Sequence, residues 1–167
     1  YRSAGPIAVQ KQIIKVASKA ILEWFPSENI LFSGSKAQIE TKVELAHDSH
    51  FVGWEILCLG RPASEEIFSQ GELDQRFEVW RDGKPLRIER LKLRGGDPAL
   101  QAKWGLLGFP VIGSMVCVTD KIKLIDSLRK ITNVAIGEEF FSVTQVDGAI
   151  LCYFLGNSVE RARNCFI

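Results

Sequence analysis

The chain of 167 residues suits one domain or one large part of a domain. Its apolar fraction of 46% is enough for a real core and argues against disorder. The 21 basic and 20 acidic residues nearly cancel, so we expect neither nucleic acid nor an anionic membrane as the main partner. No apolar stretch reaches the ~18 residues that a membrane-spanning helix needs.

The first two-thirds of the chain has the patterns of β-strands. Residues 37–45 alternate apolar and polar side chains, which predicts a half-buried strand with one wet face. Residues 51–59 are apolar on both faces, as is typical of a strand that is covered on both sides. Residues 7–16 and 21–25 are also strand-like, and prolines mark the joins.

Two hairpins are predicted from Asp-Gly pairs, which favour the tight type I′ turn. Asp82-Gly83 and Asp147-Gly148 supply these pairs. The predicted hairpins join residues 71–80 with 86–93 and residues 140–146 with 149–155.

The sequence changes character near residues 94–98, which we interpret as a subdomain seam within a single domain. Asp97 is expected to cap a short helix that begins at Pro98. Residues 111–118 form a short apolar segment that predicts another strand.

Two α-helices are expected in the C-terminal third. Asp120 is expected to cap a helix that runs through Ile131, and Asn157 or Ser158 to cap a last helix. Short strands at regular spacing with two late helices predict a mainly β fold. A sandwich, a barrel and a β-helical stack remain open, because periodicity does not choose between them.

Four cysteines lie among apolar residues and form no C-x-x-C pair, namely Cys58, Cys117, Cys152 and Cys165. We expect buried free thiols that act as small hydrophobic side chains. Free thiols suit a reducing compartment, so a cytoplasmic location is expected.

Glu55 is an unusual residue, because it shares either face of its strand with large apolar side chains. A buried carboxylate is costly unless it is paired, protonated or bound to a metal. Arg61 is a candidate counter-charge. An ion pair, a wet position at a sheet edge and a functional role all remain open for Glu55.

Glu89 lies where the apolar side chains of its strand change from even-numbered to odd-numbered positions. Leu86 and Ile88 are even-numbered, whereas Leu91 and Leu93 are odd-numbered, so a regular strand cannot bury both pairs on one face. A β-bulge near residues 89–90 would shift the register and re-aim the carboxylate. The alternative is a strand buried on both faces, with its arginines reaching solvent.

His47 and His50 have H-x-x-H spacing around Asp48, and imidazole with carboxylate suits nickel or zinc. The segment is polar and turn-like, so a solvated loop is the favoured interpretation. Phosphate-loop, nucleophile-elbow, zinc-protease and dinucleotide motifs do not occur in the sequence.

Several strings together resemble one known family. They are YRS at 1–3, LEWFP at 22–26, GWEILCLGRP at 53–62, FEVWRDG at 77–83 and IERL at 88–91. Their order and spacing are similar to the UreD (also called UreH) urease accessory proteins, closely over residues 1–93 and more loosely to residue 167. The chain begins without a methionine and ends inside an expected helix. We therefore expect a fragment that lacks the N-terminal part and the C-terminal tail of the family.

The resemblance implies a right-handed helical array of β-strands with two α-helices. It also implies a non-enzymatic scaffold in a hetero-oligomer with UreF, the GTPase UreG and apo-urease. Nickel would pass through an internal path to the urease active site, with no tightly bound cofactor. The family's acidic path positions correspond to Glu55 and Glu89.

The predicted supporting residues around these two glutamates are Arg61, Arg90, Trp54 and Cys58. Two other interpretations of the function remain open. The first is a β-helical hydrolase with Glu55 and Glu89 as acid and base in an open cleft lined by aromatic residues. Trp54 and Trp80 are candidates for that lining, although aromatic core packing is the simpler explanation for both. The second is a structural module in which both glutamates are only ion-paired.

Overall fold

The computed structural model describes residues 5–120 and 139–167. These residues form ten β-strands, one α-helix and two short 3₁₀ turns. The elements are β1 (Ala8–Val16), β2 (Ile21–Trp24), β3 (Asn29–Leu31), β4 (Ser35–Leu45), β5 (His50–Leu59), β6 (Gly71–Arg81), β7 (Lys84–Arg94), β8 (Val111–Val118), β9 (Phe140–Val146), β10 (Ala149–Gly156) and α1 (Val159–Phe166). The prediction of a mainly β fold is confirmed.

The strands form two sheets. A four-stranded sheet has the order β1-β4-β6-β7, and a six-stranded sheet has the order β2-β5-β8-β10-β9 with β3 also paired to β5. From β1 to β6 the chain passes back and forth between the sheets, so β1, β4 and β6 pair in parallel, as do β2 and β3 with β5. The remaining pairs are antiparallel. The right-handed helical array remains a prediction.

Both predicted hairpins form with the expected turns. Asp82 and Gly83 have φ of 49° and 74°, and Asp147 and Gly148 have φ of 46° and 81°. A type I′ turn needs positive φ at both central residues, which Asp-Gly supplies at low cost. These turns set the registers of β6–β7 and β9–β10.

The predicted bulge exists but lies earlier in β7 than expected. Trp80 pairs with Pro85 and Val79 pairs with Arg87, so Leu86 is the extra residue. The prediction of a bulge near residues 89–90 is therefore wrong in position. After Leu86 the odd-numbered side chains of β7 face inward, and Ile88 lies on the outer face with 51% exposure.

Two apolar cores lie between the sheets. The first inner core joins Val43, Leu45, Phe77 and Val79 to Phe51, Val116, Val118 and Leu151. The second inner core joins Ala37, Ile39 and Leu73 to Leu31, Leu57 and Leu59. Burial of about ten large side chains between two sheets is the main stabilising contribution in a fold of this type.

A third core lies on the other side of the six-stranded sheet, where α1 covers it. Ala162 and Phe166 of α1 pack on Trp54, Ile56 and other even-numbered β5 side chains. Strand β5 is thus covered on both faces, as its sequence predicts. Ser158 caps α1 by accepting a hydrogen bond from the Arg161 amide, which confirms the predicted start of the last helix.

The other predicted features of the C-terminal third have mixed outcomes. The predicted helix ending at Ile131 lies outside the described residues. The predicted short helix after Asp97 is a 3₁₀ turn at Pro98–Leu100, and the Asp97 carboxylate accepts from the Ala99 amide at 2.8 Å. The seam at residues 94–98 remains a prediction, and strands from both sides of it join the six-stranded sheet.

The inward and outward faces of the four-stranded sheet can be tested by truncation. Leu73→Ala should lower the free energy of unfolding by about 2–5 kcal/mol, because Leu73 is 2% exposed in the second inner core. Ile88→Ala should change it by less than about 0.5 kcal/mol, because that side chain is largely solvated. Urea unfolding of both variants gives the comparison. Equal losses would contradict the register of β7.

Candidate functional site

A belt of polar side chains separates the two inner cores. It occupies the inward position where each strand passes from one apolar core to the other. We call it the polar layer, and it consists of Gln12, Thr41, Glu55, Gln75, Arg87, Glu89, Ser114 and Tyr153. The layer crosses the four-stranded sheet from edge strand β1 to edge strand β7.

Strand register pairs some of these residues directly, whereas Gln75 and Arg87 lie one inward position to either side of the level of Thr41 and Glu89. In the six-stranded sheet Glu55 lies beside Ser114, and Ser114 lies beside Tyr153. In the four-stranded sheet Gln12 lies beside Thr41. Because directly paired residues point to the same side of a sheet, these side chains all face the space between the sheets.

Glu55 lies at the centre of the layer with only 2% exposure. Its Oε2 accepts a hydrogen bond from the Gln75 side-chain amide. The Thr41 hydroxyl also lies against it, and Thr41 Oγ1 is 3.2 Å from Gln12 Oε1. Glu55 therefore has neutral neighbours instead of the arginine that was predicted.

Burial raises the pKa of Glu55 to about 7. Hydrogen bonds from Thr41 and Gln75 oppose this rise, and the negative charge of Glu89 adds to it. Near neutral pH this carboxyl group is poised between its protonated and ionised forms.

Glu89 is the second carboxylate of the layer, and its side chain is 21% exposed. Its Oε2 accepts from Ser114 Oγ at 2.6 Å and also from the Arg87 guanidinium. Arg87 lies over the ring of Tyr153, with 4.9 Å from the guanidinium carbon to the ring centroid. The structure thus brings the two predicted glutamates into one layer, together with residues that the sequence analysis did not assign to it.

Two predicted supporting arginines lie elsewhere. Arg61 Nη2 pairs with Glu66 Oε2 at 2.6 Å beyond the end of β5, so its assignment as counter-charge of Glu55 is wrong. Arg90 lies on the outer face of the four-stranded sheet and pairs with Asp74 at 3.2 Å. The physical reason is alternation, since Arg90 and Glu89 are adjacent residues of one strand and point to opposite faces.

Trp54 and Cys58 support the fold instead of the glutamates. Both are even-numbered residues of β5 and point into the core under α1, away from Glu55. Trp54 Nε1 donates to the Pro26 carbonyl at 3.0 Å. Trp80 lies on the outer sheet face and donates to Glu78 at 2.7 Å. Trp54 thus packs in a core, as the simpler interpretation expects, and the two tryptophans do not flank the glutamates.

The two histidines do not converge on one site. His47 Nδ1 lies 3.0 Å from Asp82 Oδ2, whereas His50 Nε2 lies 3.8 Å from Asp120 Oδ2. Asp48 accepts from Ser18 and from the Lys19 amide. His47 is largely exposed, as expected for the turn, while His50 begins β5.

All four cysteines are free thiols. Cys58 and Cys152 are buried as predicted, whereas Cys117 and Cys165 are half-buried. Burial raises the pKa of each thiol, for Cys152 to about 12. Such thiols are poor nucleophiles and poor metal ligands near neutral pH.

The polar layer offers several separate oxygen ligands, not a closed metal cage. Carboxylate, hydroxyl and side-chain amide oxygens can each contact a divalent cation. Among residues 5–120 and 139–167 no three histidine, cysteine, aspartate or glutamate side chains group closely enough to hold a metal ion. Any divalent ion in this layer would have few protein ligands at each point.

Comparison with known proteins places these features in a family. Residues 1–167 match the family described as UreD urease accessory protein. The chain belongs to the UreD family. Proteins named urease accessory protein UreD from Alcanivorax borkumensis and Dechloromonas aromatica are each 40% identical, over 162 and 171 residues. Urease accessory protein UreD 2 from Brucella anthropi is 39% identical over 168 residues.

These three alignments cover 96–99% of this chain but only 54–61% of the relatives. The chain thus spans little more than half the length of these UreD proteins. The relatives are named as accessory proteins of urease. The described part of the chain contains no helix long and apolar enough to cross a membrane.

Glu55 should make the stability of this UreD chain dependent on pH. Its pKa is about 7 in the folded state against an ordinary value of 4.5, so the folded state binds the proton more tightly. Stability from this residue is present below pH 4.5 and is lost as pH rises through 7. Between pH 5 and 8 the free energy of unfolding of the chain should fall by on the order of 3 kcal/mol relative to that of Glu55→Gln.

Urea unfolding at several pH values measures this difference, and Glu40→Gln on the outer sheet face is the matched control. Glu40 lies 3.6 Å from Lys11 at the surface, so its replacement should leave the pH profile of the parent chain intact. Parallel pH profiles for the parent chain and Glu55→Gln would contradict the buried, protonated state of Glu55.

Proposed function

We propose that this chain acts in the insertion of nickel into urease, as a scaffold and as part of an internal path for the ion. The observation that supports the proposal most strongly is the polar layer, in which two carboxylates lie between two apolar cores. A purely structural sandwich gains nothing from burying charge there, because apolar side chains would pack without a desolvation cost.

The chemistry of the layer suits transient contact with nickel. Glu55 and Glu89 supply negative charge, and Thr41, Gln75 and Ser114 supply neutral oxygen atoms between apolar walls. Nickel binds tightly to sites that combine several imidazole or thiolate ligands. A line of single oxygen ligands instead lets the ion move on, as delivery requires.

The proposed partners are UreF, UreG and apo-urease in a hetero-oligomer. The family membership supports this assignment, because the relatives are named as accessory proteins of urease. We also propose a cytoplasmic location, which the four free thiols support.

We further propose that the strands continue as the right-handed helical array implied by the resemblance. The repeated passage between the sheets and the parallel pairing of β1, β4 and β6 support it. In such an array each added turn extends both inward faces, so a belt of inward polar residues can become a continuous line.

The hydrolase alternative has little support in the geometry. Glu55 is buried against neutral side chains, and Glu89 is engaged by Arg87 and Ser114. Glycoside hydrolysis requires an acid and a base on both sides of a bound sugar in an open cleft. Neither tryptophan assigned to that cleft lies near the two carboxylates.

Urease activation tests the proposed path. The variants Glu55→Gln and Glu89→Gln of the protein should each lower nickel-dependent urease activation by about tenfold or more, because each removes a charged ligand from the path. Capture of UreF, UreG and apo-urease on the same variants should be unchanged, since Glu55 is buried, Glu89 is mostly buried and each substitution keeps the size of the side chain. Glu40→Gln is the control for both measurements.

Full activation by both variants, with normal folding and normal partner capture, would remove the path and leave a structural role for the two glutamates. Loss of partner capture by the parent protein would remove the scaffold role. The two parts of the proposal are therefore tested separately.

A further inference from the structure

Arg87 is the cation of the polar layer, and its position is unusual for an arginine. Its side chain is only 12% exposed. It pairs with Glu89 on the same strand and lies 4.9 Å from the centroid of the Tyr153 ring. Its Nε is buried and has no hydrogen-bond partner among the described residues.

Arg87 competes directly with any cation that approaches Glu89. The guanidinium and Ser114 Oγ both donate to the same carboxylate oxygen, Oε2. An ion that binds this oxygen must take the place of the guanidinium, because two cations in van der Waals contact repel strongly in a buried setting. An ion that binds Glu89 through Oε2 therefore displaces Arg87.

Tyr153 already contacts the guanidinium while it is paired with Glu89, so the ring can keep it inside the layer when the ion pair is broken. A guanidinium over an aromatic face is stabilised by the ring quadrupole even when its ion pair is broken. The unpartnered Nε means that one fewer hydrogen bond holds Arg87 in place. The extra residue Leu86 precedes it directly, so regular strand pairing is interrupted at this point.

We propose that Arg87 is a displaceable counter-ion that limits how tightly and how long a divalent cation is held at Glu89, with Tyr153 keeping contact with the guanidinium during passage. This inference rests on the proposed function of the layer as a nickel path. Arg87 is thus a positioning residue. It balances the charge of Glu89 between passages, and it returns to the carboxylate when the ion leaves.

The displacement also favours divalent over monovalent cations. A monovalent ion that replaces the guanidinium at Glu89 gains no additional Coulombic attraction, whereas a divalent ion gains roughly twice as much. Removal of Arg87 should therefore strengthen divalent binding, which is opposite to what a merely structural defect would do.

Nickel binding to the purified protein tests the proposal. Equilibrium dialysis against Ni²⁺ should show about tenfold or more tighter binding for Arg87→Gln, with slower release to a chelator. Arg87→Lys should stay close to the parent protein because it keeps a cation. Arg90→Gln, on the outer face of the same strand, is the matched control and should change neither quantity.

A second pair of variants keeps the test decisive if Arg87→Gln fails to fold. Tyr153→Phe keeps the ring and should bind nickel like the parent protein. Tyr153→Leu removes the ring, so the guanidinium stays on Glu89 and nickel binding should weaken several-fold. Equal nickel affinities for Tyr153→Phe and Tyr153→Leu would overturn the role of Tyr153.

Glu89→Gln separates failure of this inference from failure of the proposed function. Weaker nickel binding by Glu89→Gln, with Arg87→Gln no tighter than the parent protein, would overturn the counter-ion role and leave the nickel path in place. Unchanged nickel affinity in both variants would overturn the path and the counter-ion role together.

Discussion

The burial of two carboxylates and one guanidinium between two β-sheets is the constraint that shapes this molecule. Charge in such a place is tolerated only when neighbouring groups hydrogen-bond to it or when it is neutralised. The fold meets this need in two ways. Burial among side-chain amides and hydroxyls raises the pKa of Glu55 to about 7, which favours its neutral form, whereas Glu89 is paired with Arg87. The apolar cores on both sides supply the stability that the polar layer does not.

Most of the fold could be predicted because its signals are local. Alternation placed the strands within one or two residues, and Asp-Gly pairs fixed both hairpins. Two features escaped for physical reasons. Strand β3 has only three residues, too few for a period to show. The bulge at Leu86 depends on which odd or even side chains of β7 find partners across the sheets, a property of the tertiary fold and not of the strand.

The candidate site was predictable only in part. Glu55 and Glu89 stood out because each is a charge inside an apolar pattern. Thr41, Gln75 and Ser114 did not, since one neutral polar residue on an inward strand face is ordinary in any single strand. Their meaning appears only when the tertiary fold brings these side chains against the two glutamates. A signal was present in the sequence, because each of these three residues interrupts a run of inward apolar residues. Arg61 was assigned to Glu55 because the two are close along the chain, but the fold pairs it with Glu66.

Retention and delivery of an ion require opposite arrangements of the same groups. A retained metal needs several ligands that converge on one point, so that departure breaks many bonds at once. A delivered ion needs single ligands in sequence and a way to restore each one after the ion has left. In the function proposed above, a proton restores Glu55 after the ion has left, and the Arg87 guanidinium restores Glu89. Neither carboxylate is then left buried and uncompensated between passages, which is the state that would cost the sandwich most.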